Sequence, residues 1–123
     1  MKLFLLLGSL NAFLFVALGA FGAHALKDRL ESNGYLHTFE TGVQYHMIHA
    51  LALIAVAILT RYLSATGLVH GAGWAFLIGI ILFSGSLYAL SLTGIKVLGA
   101  ITPIGGVAFL VGWVLLFIAA WQE

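Results

Sequence analysis

The sequence predicts an all-α fold: an integral membrane four-helix bundle with a short amphipathic interfacial helix between helices one and two. Of the 123 residues, 63% are hydrophobic and 7% are charged, with a mean hydropathy of +1.14. Soluble domains carry about 25% charged residues. The charges separate apolar runs of roughly 20 residues or more, the length that crosses a bilayer as a helix. These runs are continuously apolar rather than alternating, which argues against a transmembrane strand barrel.

The charge pattern places the membrane helices at about residues 3–24, 40–62, 71–93 and 97–121. The chain shows no linker, repeat or low-complexity tail, so we predict a single transmembrane domain over residues 1–123. The first apolar run resembles a secretory signal but is longer than a signal core, so we expect it to be the first membrane helix. The absence of cysteine excludes disulfides and thiolate metal sites.

The first membrane helix contains one strongly polar interior residue, Asn11. We expect its amide to hydrogen-bond another helix, because buried amides usually find a partner. The following segment, residues 25–34, reads ALKDRLESNG, with Leu26 and Leu30 on one face. The charged residues on the opposite face should point into water, as in an interfacial helix; they are Lys27, Asp28, Arg29 and Glu31.

The second membrane helix is the most polar of the four, since its first half carries Glu40, Gln44, His46 and His49. Thr38 is the expected N-cap, and Glu40 in the first turn would then complement the helix dipole. Ionisable groups inside a membrane span are costly and usually have a functional or structural reason to be there.

The remaining two helices add hydroxyl groups and an irregular segment. The second half of helix three carries Ser84, Ser86, Tyr88 and Ser91. Helix four contains Thr102 followed by Pro103, Gly105 and Gly106, which predict a kink or loosened turn because proline removes a helical hydrogen bond. Irregular backbone inside a membrane must be buried in protein or line a cavity.

Topology predicts that these polar groups share one half of the membrane. Helix one ends, helix two begins, helix three ends and helix four begins on the same side, which we call side A; the opposite side is side B. With a rise of about 1.5 Å per residue, the polar groups fall in one slab below side A. We therefore predict a polar pocket opening towards side A. Its residues are His24, Glu40, Gln44, Tyr45, His46, His49, Ser84, Ser86, Tyr88 and Thr102, next to the break at Pro103, Gly105 and Gly106.

The helical period leaves open whether all of these groups meet. At about 100° per residue, Glu40 and Gln44 share one face of helix two, whereas His46 and His49 share another. Structural hydrogen bonding between helices is one interpretation of the histidines. Ligation of a metal or haem is another, since neutral imidazole serves both. A proton or solute path and a serine-based lipid or quinone enzyme are further alternatives.

Four stretches, taken together, resemble one known family. They are GAFGAHAL at 19–26, FETGVQYHMIHALAL at 39–53, LFSGSLYAL at 82–90 and LGAITPIGGVAFLVGW at 98–113. The chain resembles the YgdD-like family of small bacterial inner-membrane proteins, which carry a domain of unknown function and have small eukaryotic transmembrane relatives. The resemblance covers essentially the whole chain and implies a multi-pass protein of the inner membrane. It brings no catalytic residue with it.

The sequence therefore favours a membrane protein of uncharacterised role, non-enzymatic, acting as an accessory or as a binder of a small ligand or lipid. The alternative hypothesis is an oligomeric transporter or channel for protons or a small solute. The third hypothesis is a histidine-ligated haem or metal protein. We expect the lipid bilayer and further copies of the chain as partners, because one four-helix subunit offers little interior. We expect no nucleic acid partner. The sequence does not identify a small-molecule partner, a protein partner or a cofactor.

Overall fold

The structure, a computed structural model, describes residues 1–123 and consists of helices without strands. The six α-helices are α1 Lys2–Ala23, α2 Lys27–Ser32, α3 Leu36–Leu59, α4 Thr66–Gly79, α5 Gly85–Thr93 and α6 Thr102–Trp121. A π-helical turn, Ile80–Ser84, joins α4 to α5, and a 3-10 helix, Lys96–Ala100, precedes α6. Four segments are long and apolar enough to cross a membrane: Lys2–Ala23, Leu36–Leu59, Thr66–Thr93 and Lys96–Trp121. The predicted all-α membrane bundle is confirmed.

The second span begins four residues earlier than predicted. The residue preceding α3 is Tyr35, which makes no side-chain cap, so Thr38 lies within the helix and does not cap it. Glu40 consequently lies beyond the first turn. The early start follows from the packing of Phe39, which is 1% exposed and lies against Gly22 of α1. Burial of this ring against α1 favours helical backbone from Leu36 onwards, before the predicted start at residue 40.

The third span also begins earlier than predicted, at Thr66 rather than near residue 71. The last residue of the chain holds this start in place: the side chain of Glu123 accepts hydrogen bonds from the backbone N–H of Ser64 and from its hydroxyl, the latter at 3.0 Å. A distant carboxylate therefore fixes the turn that ends two residues before α4 begins. The local sequence shows no sign of this contact.

The four spans divide into an inner and an outer pair. The inner pair is α3 and the third span; α1 packs mainly on α3, and α6 packs mainly on α4 and the π-helical turn. Buried residues make up 44% of the most apolar stretch of each inner span, but 17% and 22% of those of α1 and α6. The outer helices therefore present long apolar faces to lipid.

The half of the bundle towards side B is filled by apolar side chains. The buried cluster consists of Phe4, Ala52, Leu53, Val56, Ala57, Val69, Ala72, Phe76, Ile80, Phe109 and Ala119. Two glycines of α4 let aromatic rings enter, because Gly73 lies against Phe4 and Gly79 against Phe109. The buried polar side chains of the chain are thus confined to the middle of the membrane and the side-A half.

The interfacial helix α2 is docked rather than loosely associated. Leu30 is fully buried, and the Arg29 guanidinium donates a hydrogen bond of 2.8 Å to the carbonyl oxygen of Leu92 at the end of α5. The Asn33 amide donates to the Ser91 carbonyl oxygen at 3.3 Å. Arg29 was expected to point only into water, but it ties α2 to the third span. These contacts cover the side-A end of α5.

The irregular segment lies in a different helix from the predicted one. Pro103 occupies the first turn of α6, where its missing N–H costs nothing, and the helix continues through Gly105 and Gly106. The irregularity is instead the π-helical turn of the third span. Gly105 packs directly on it, because a Cβ atom there would lie 2.7 Å from the Phe83 Cα and 2.8 Å from the Leu82 carbonyl carbon. Gly105 thus serves close backbone contact rather than flexibility.

Candidate functional site

A chain of hydrogen bonds joins three of the four spans near the middle of the membrane. His46 of α3 is 3% exposed, and its two ring nitrogens bond side chains of other helices. Nδ1 lies 2.9 Å from the Tyr88 hydroxyl of α5, and Nε2 lies 2.9 Å from Asn11 Oδ1 of α1. The Asn11 amide nitrogen donates to the Leu7 carbonyl oxygen at 2.8 Å. We call this chain of residues the His46 relay. The expectation that Asn11 bonds another helix is confirmed.

The chemistry of the partners fixes the direction of every bond in the His46 relay. The Leu7 carbonyl can only accept, so the Asn11 nitrogen must face it and the Asn11 oxygen must face His46. The His46 Nε2 therefore carries a proton and donates. Its Nδ1 is left to accept from the Tyr88 hydroxyl. All three side chains are satisfied, which makes the relay a firm crosslink between α1, α3 and α5.

His49, one turn further along α3, is held by a different set of groups. Its Nδ1 lies 2.8 Å from the Tyr45 carbonyl oxygen, and the Trp113 indole of α6 donates to its Nε2 at 3.1 Å. Because a carbonyl only accepts and an indole only donates, Nδ1 must carry the proton. The imidazole also stacks on Phe109 with ring centroids 3.5 Å apart. His49 thus joins α3 to α6.

The hydroxyl groups of the third span bond nearby backbone and side-chain atoms. Ser84 donates to the Gly42 carbonyl oxygen of α3 at 2.8 Å. Ser86 lies 2.6 Å from the Thr102 hydroxyl of α6 and donates to the Phe83 carbonyl oxygen at 2.9 Å. These bonds tie the π-helical turn and its flanks to both neighbouring helices.

Two grooves remain between helices on the outer surface. The first, the α1/α3 groove, has a volume of about 230 Å³ and is lined by Gly19, Gly22, Ala23, Phe39, Glu40, Val43 and Gln44. The second, the α3/α6 groove, has a volume of about 410 Å³ and is lined by Tyr45, His49, Phe83, Pro103, Gly106, Val107, Phe109, Leu110 and Trp113. Gln44 and Tyr45 are adjacent in sequence and about 100° apart on the helix, so the grooves flank one exposed ridge of α3.

The α3/α6 groove combines an aromatic wall with one free polar group. Tyr45 is 40% exposed and packs on Phe83 with ring centroids 4.6 Å apart. Its hydroxyl makes no hydrogen bond within the protein, whereas every buried side-chain nitrogen and oxygen has a partner. Gly106 carries no side chain at the floor of the groove, and a Cβ there would lie 3.8 Å from the Phe83 ring. This leaves an open, aromatic-lined surface beside an available hydroxyl.

The structure thus distributes the predicted pocket residues over separate places. Glu40 and Gln44 line the α1/α3 groove. Tyr45 and His49 line the α3/α6 groove. The other predicted residues near the middle of the membrane form hydrogen bonds between helices; they are His46, Ser84, Ser86, Tyr88 and Thr102. His24 lies at the exposed end of α1 and lines neither groove. A single pocket opening towards side A does not form, because the faces of α3 diverge and α2 covers the end of α5.

The aromatic residues of α6 that line the α3/α6 groove were not among the residues predicted from the sequence. Phe109 and Trp113 lie in the apolar part of helix four, where aromatic residues ordinarily anchor or fill a membrane protein. Their spacing of four residues places them on one face of α6, but no residue pattern shows that this face meets His49.

The geometry does not favour a histidine-ligated metal or haem. All four ring nitrogens of His46 and His49 are engaged by protein groups, so ligation would break an existing bond in each case. The two imidazoles also face different neighbours, since one meets α1 and α5 and the other meets α6. No group of three or more histidine or acidic side chains converges in the chain.

Comparison with known proteins gives a family but no activity. Residues 18–106 match a family described as "Protein of unknown function (DUF423)". The chain is 56% identical over 120 residues to the UPF0382 membrane protein YwdK of Bacillus subtilis (strain 168), an alignment that covers 98% of this chain and 97% of that protein. It is 51% identical over 122 residues to the UPF0382 membrane protein SAB0533 of Staphylococcus aureus (strain bovine RF122 / ET3-1), covering 99% and 98%. No solved structure matches.

Proposed function

The chain belongs to the DUF423 family of unknown function, whose matched bacterial relatives are named membrane proteins, and we propose that it binds a lipophilic molecule laterally from the bilayer in the α3/α6 groove. The ligand class is an amphiphile: an apolar chain lying along α6 and an oxygen-bearing group that hydrogen-bonds the Tyr45 hydroxyl. The protein itself is a multi-pass membrane protein, and the bacterial relatives fit a location in the inner (plasma) membrane. The finer kinship with the YgdD-like family, carried by the four sequence stretches, is part of this proposal.

The observation that carries the proposal is the free hydroxyl of Tyr45. With a rise of about 1.5 Å per residue, Tyr45 lies about 13 Å below the start of α3. A hydroxyl without a partner in an apolar environment costs roughly 2 kcal/mol or more. The nearby polar side chains His46, His49 and Tyr88 have partners in the protein. Tyr45 differs because its exposed side chain lines an open groove, where a ligand oxygen could supply the missing bond.

The α6 wall of the groove suits an extended apolar chain. Pro103, Gly106, Val107 and Leu110 follow one another at helical spacing and lie on one face of α6, ending at Trp113. From Pro103 to Trp113 the helix rises about 15 Å, half of a typical hydrocarbon core. An aliphatic chain could therefore run from near side A to the middle of the membrane along this face.

A transporter or channel and a serine-based enzyme, two of the alternatives from the sequence, receive less support. The side-B half is packed with apolar side chains and gives a single subunit no polar path for protons or solutes. Ser84 and Ser86 donate to backbone carbonyl oxygens and hydrogen-bond no histidine, so neither serine is arranged as an activated nucleophile. Association of several copies through the apolar faces of α1 and α6 stays a prediction, to be tested by the mass of the protein in nanodiscs.

Filling the groove tests the proposal. Full-length protein is reconstituted in nanodiscs of a bacterial total lipid extract, and the retained molecules are weighed by native mass spectrometry. We expect wild type to retain a discrete amphiphile after the bulk lipid is stripped. Gly106→Leu should lose it, since the new side chain occupies the floor of the groove, and Tyr45→Phe should weaken retention about fivefold or more through the lost hydrogen bond.

The control is Gly67→Leu, because Gly67 is an exposed helical glycine of α4 whose Cβ would meet no atom within 4 Å. This variant should retain the amphiphile as wild type does, and circular dichroism should show all variants folded. Equal retention by wild type and Gly106→Leu, or no specific retention by wild type, would overturn the proposal.

A further inference from the structure

We infer a second, independent site: the α1/α3 groove binds the primary ammonium head group of a membrane lipid. Glu40 is its charged partner, and the amide oxygen of Gln44 is a second acceptor. This site lies on the opposite flank of the exposed ridge of α3 from the α3/α6 groove, and it does not rest on the function proposed there.

The carboxylate of Glu40 has no cationic partner in the protein. The one ion pair of the chain joins Lys27 and Glu31, with Nζ and Oε1 4.0 Å apart on α2. His37 lies one turn above Glu40 on the same face of α3, and His24 lies at the end of α1, yet neither forms an ion pair with Glu40. Glu40 is exposed and lies about 6 Å below the start of α3, a helix longer than the hydrocarbon core of about 30 Å. Its carboxylate is therefore at the level of the lipid head groups, where a lipid cation can reach it.

The groove has the shape and the acceptors for an ammonium group. Gly19 and Gly22 of α1 leave a cleft of about 230 Å³ beside α3. The Phe39 ring occupies the space beside Gly22. A Cβ at Gly19 would meet only the Val43 side chain, at 3.4 Å, so the cleft stays open beside Gly19. Gln44 follows Glu40 by one helical turn and lines the same cleft. A primary ammonium has three N–H donors, and the Glu40 carboxylate and the Gln44 amide oxygen can accept hydrogen bonds from two of them.

The chemistry of the groove discriminates among cations. A divalent metal would require about six oxygen ligands, and no cluster of three or more acidic or histidine side chains exists in the chain. A quaternary ammonium carries the same charge as a primary one but no N–H donor, so it could use neither acceptor for a hydrogen bond. The geometry therefore fits a head group such as that of phosphatidylethanolamine better than that of phosphatidylcholine.

Competition between these two lipids tests the inference. The full chain in detergent is equilibrated with equal amounts of phosphatidylethanolamine and phosphatidylcholine of identical acyl chains, and bound lipid is counted by native mass spectrometry. Charge-assisted hydrogen bonds should give wild type a preference of about tenfold for phosphatidylethanolamine. Glu40→Gln should bring the ratio close to one, and Gln44→Leu should reduce it partially.

The matched control is Glu31→Gln, which removes another exposed side-A carboxylate, one that pairs with Lys27 and lines no groove. It should keep the wild-type ratio, as should Gly106→Leu, which fills only the α3/α6 groove. A wild-type ratio near one would overturn the inference whatever the variants do. So would an equal effect of Glu40→Gln and Glu31→Gln.

Discussion

His46 and His49 are the same residue type, three positions apart on one helix, yet they serve different parts of the molecule. His46 bonds side chains of α1 and α5, where Asn11 and Tyr88 satisfy both ring nitrogens and no groove is lined by its ring. His49 bonds Trp113 of α6, stacks on Phe109 and lines the α3/α6 groove. One region is a closed crosslink, and the other is the wall of an open surface.

The difference shows that the position of a polar group relative to its neighbours, rather than its type or depth, decides its role. Both histidines are 3% exposed and would be equally costly in lipid. A rotation of about 60° around α3 separates them. That rotation directs His46 between two helices and His49 to the seam with α6, where Gly106 and Pro103 leave space.

Gly105→Ala should have the largest effect on this comparison because it forces α6, which carries the partners of His49, away from the backbone of the third span. A Cβ at Gly105 would collide with the backbone of Phe83, which cannot move without displacing the π-helical turn. We expect a loss of about 3 kcal/mol in the free energy of unfolding. Unfolding would be measured by circular dichroism during titration of micelles with dodecyl sulfate. Gly106→Ala is the matched control, since its Cβ would meet its nearest atom only at 3.8 Å. Equal stability of the two variants would contradict the packing described.

Asn11→Ala should have the next largest effect and act on the His46 side. It leaves the Nε2 proton of His46 without an acceptor near the middle of the membrane. Interhelical hydrogen bonds in membranes are worth about 1–2 kcal/mol, so the free energy of unfolding should fall by about that amount. Ser9→Ala, an exposed polar residue on the same helix, should leave stability unchanged. Equal losses in the two variants would show that the relay contributes nothing.

Trp113→Phe should have the smallest effect, because it keeps an aromatic ring at this position and removes the N–H that bonds His49 with only part of the indole surface. We expect a loss of about 0.5–1 kcal/mol, against little change for Trp74→Phe, whose indole bonds no side chain. Combined with Asn11→Ala, the two losses should add to within about 0.5 kcal/mol if the two histidine regions are independent. If the loss in the double variant differed strongly from the sum of the two single losses, the two histidine regions would be energetically coupled.

Apolar segment length and charge placement were sufficient to predict the four spans and the interfacial helix, and the single polar residue inside an apolar helix was sufficient to predict the interhelical bond of Asn11. They could not predict the grouping of polar residues into separate places, because membrane depth follows from counting residues but facing direction depends on which helices are neighbours. Proline and glycine predicted an irregular turn in helix four. The π-helical turn of the third span, IILFS, consists mostly of apolar residues and has no local signature. The Glu123 contact with Ser64 joins the last residue to a turn 59 positions away, beyond the reach of any local pattern.

The tautomers of the two histidines test the central claim most directly. Long-range ¹H–¹⁵N spectra of the protein in nanodiscs, labelled at histidine and with the exposed His24, His37 and His70 replaced by glutamine, report which ring nitrogen carries the proton. Because Asn11 Oδ1 faces His46 Nε2 and the Tyr45 carbonyl faces His49 Nδ1, we expect opposite tautomers: Nε2–H at His46 and Nδ1–H at His49. The same tautomer at both positions would contradict the assignment of one histidine to the crosslink and the other to the groove.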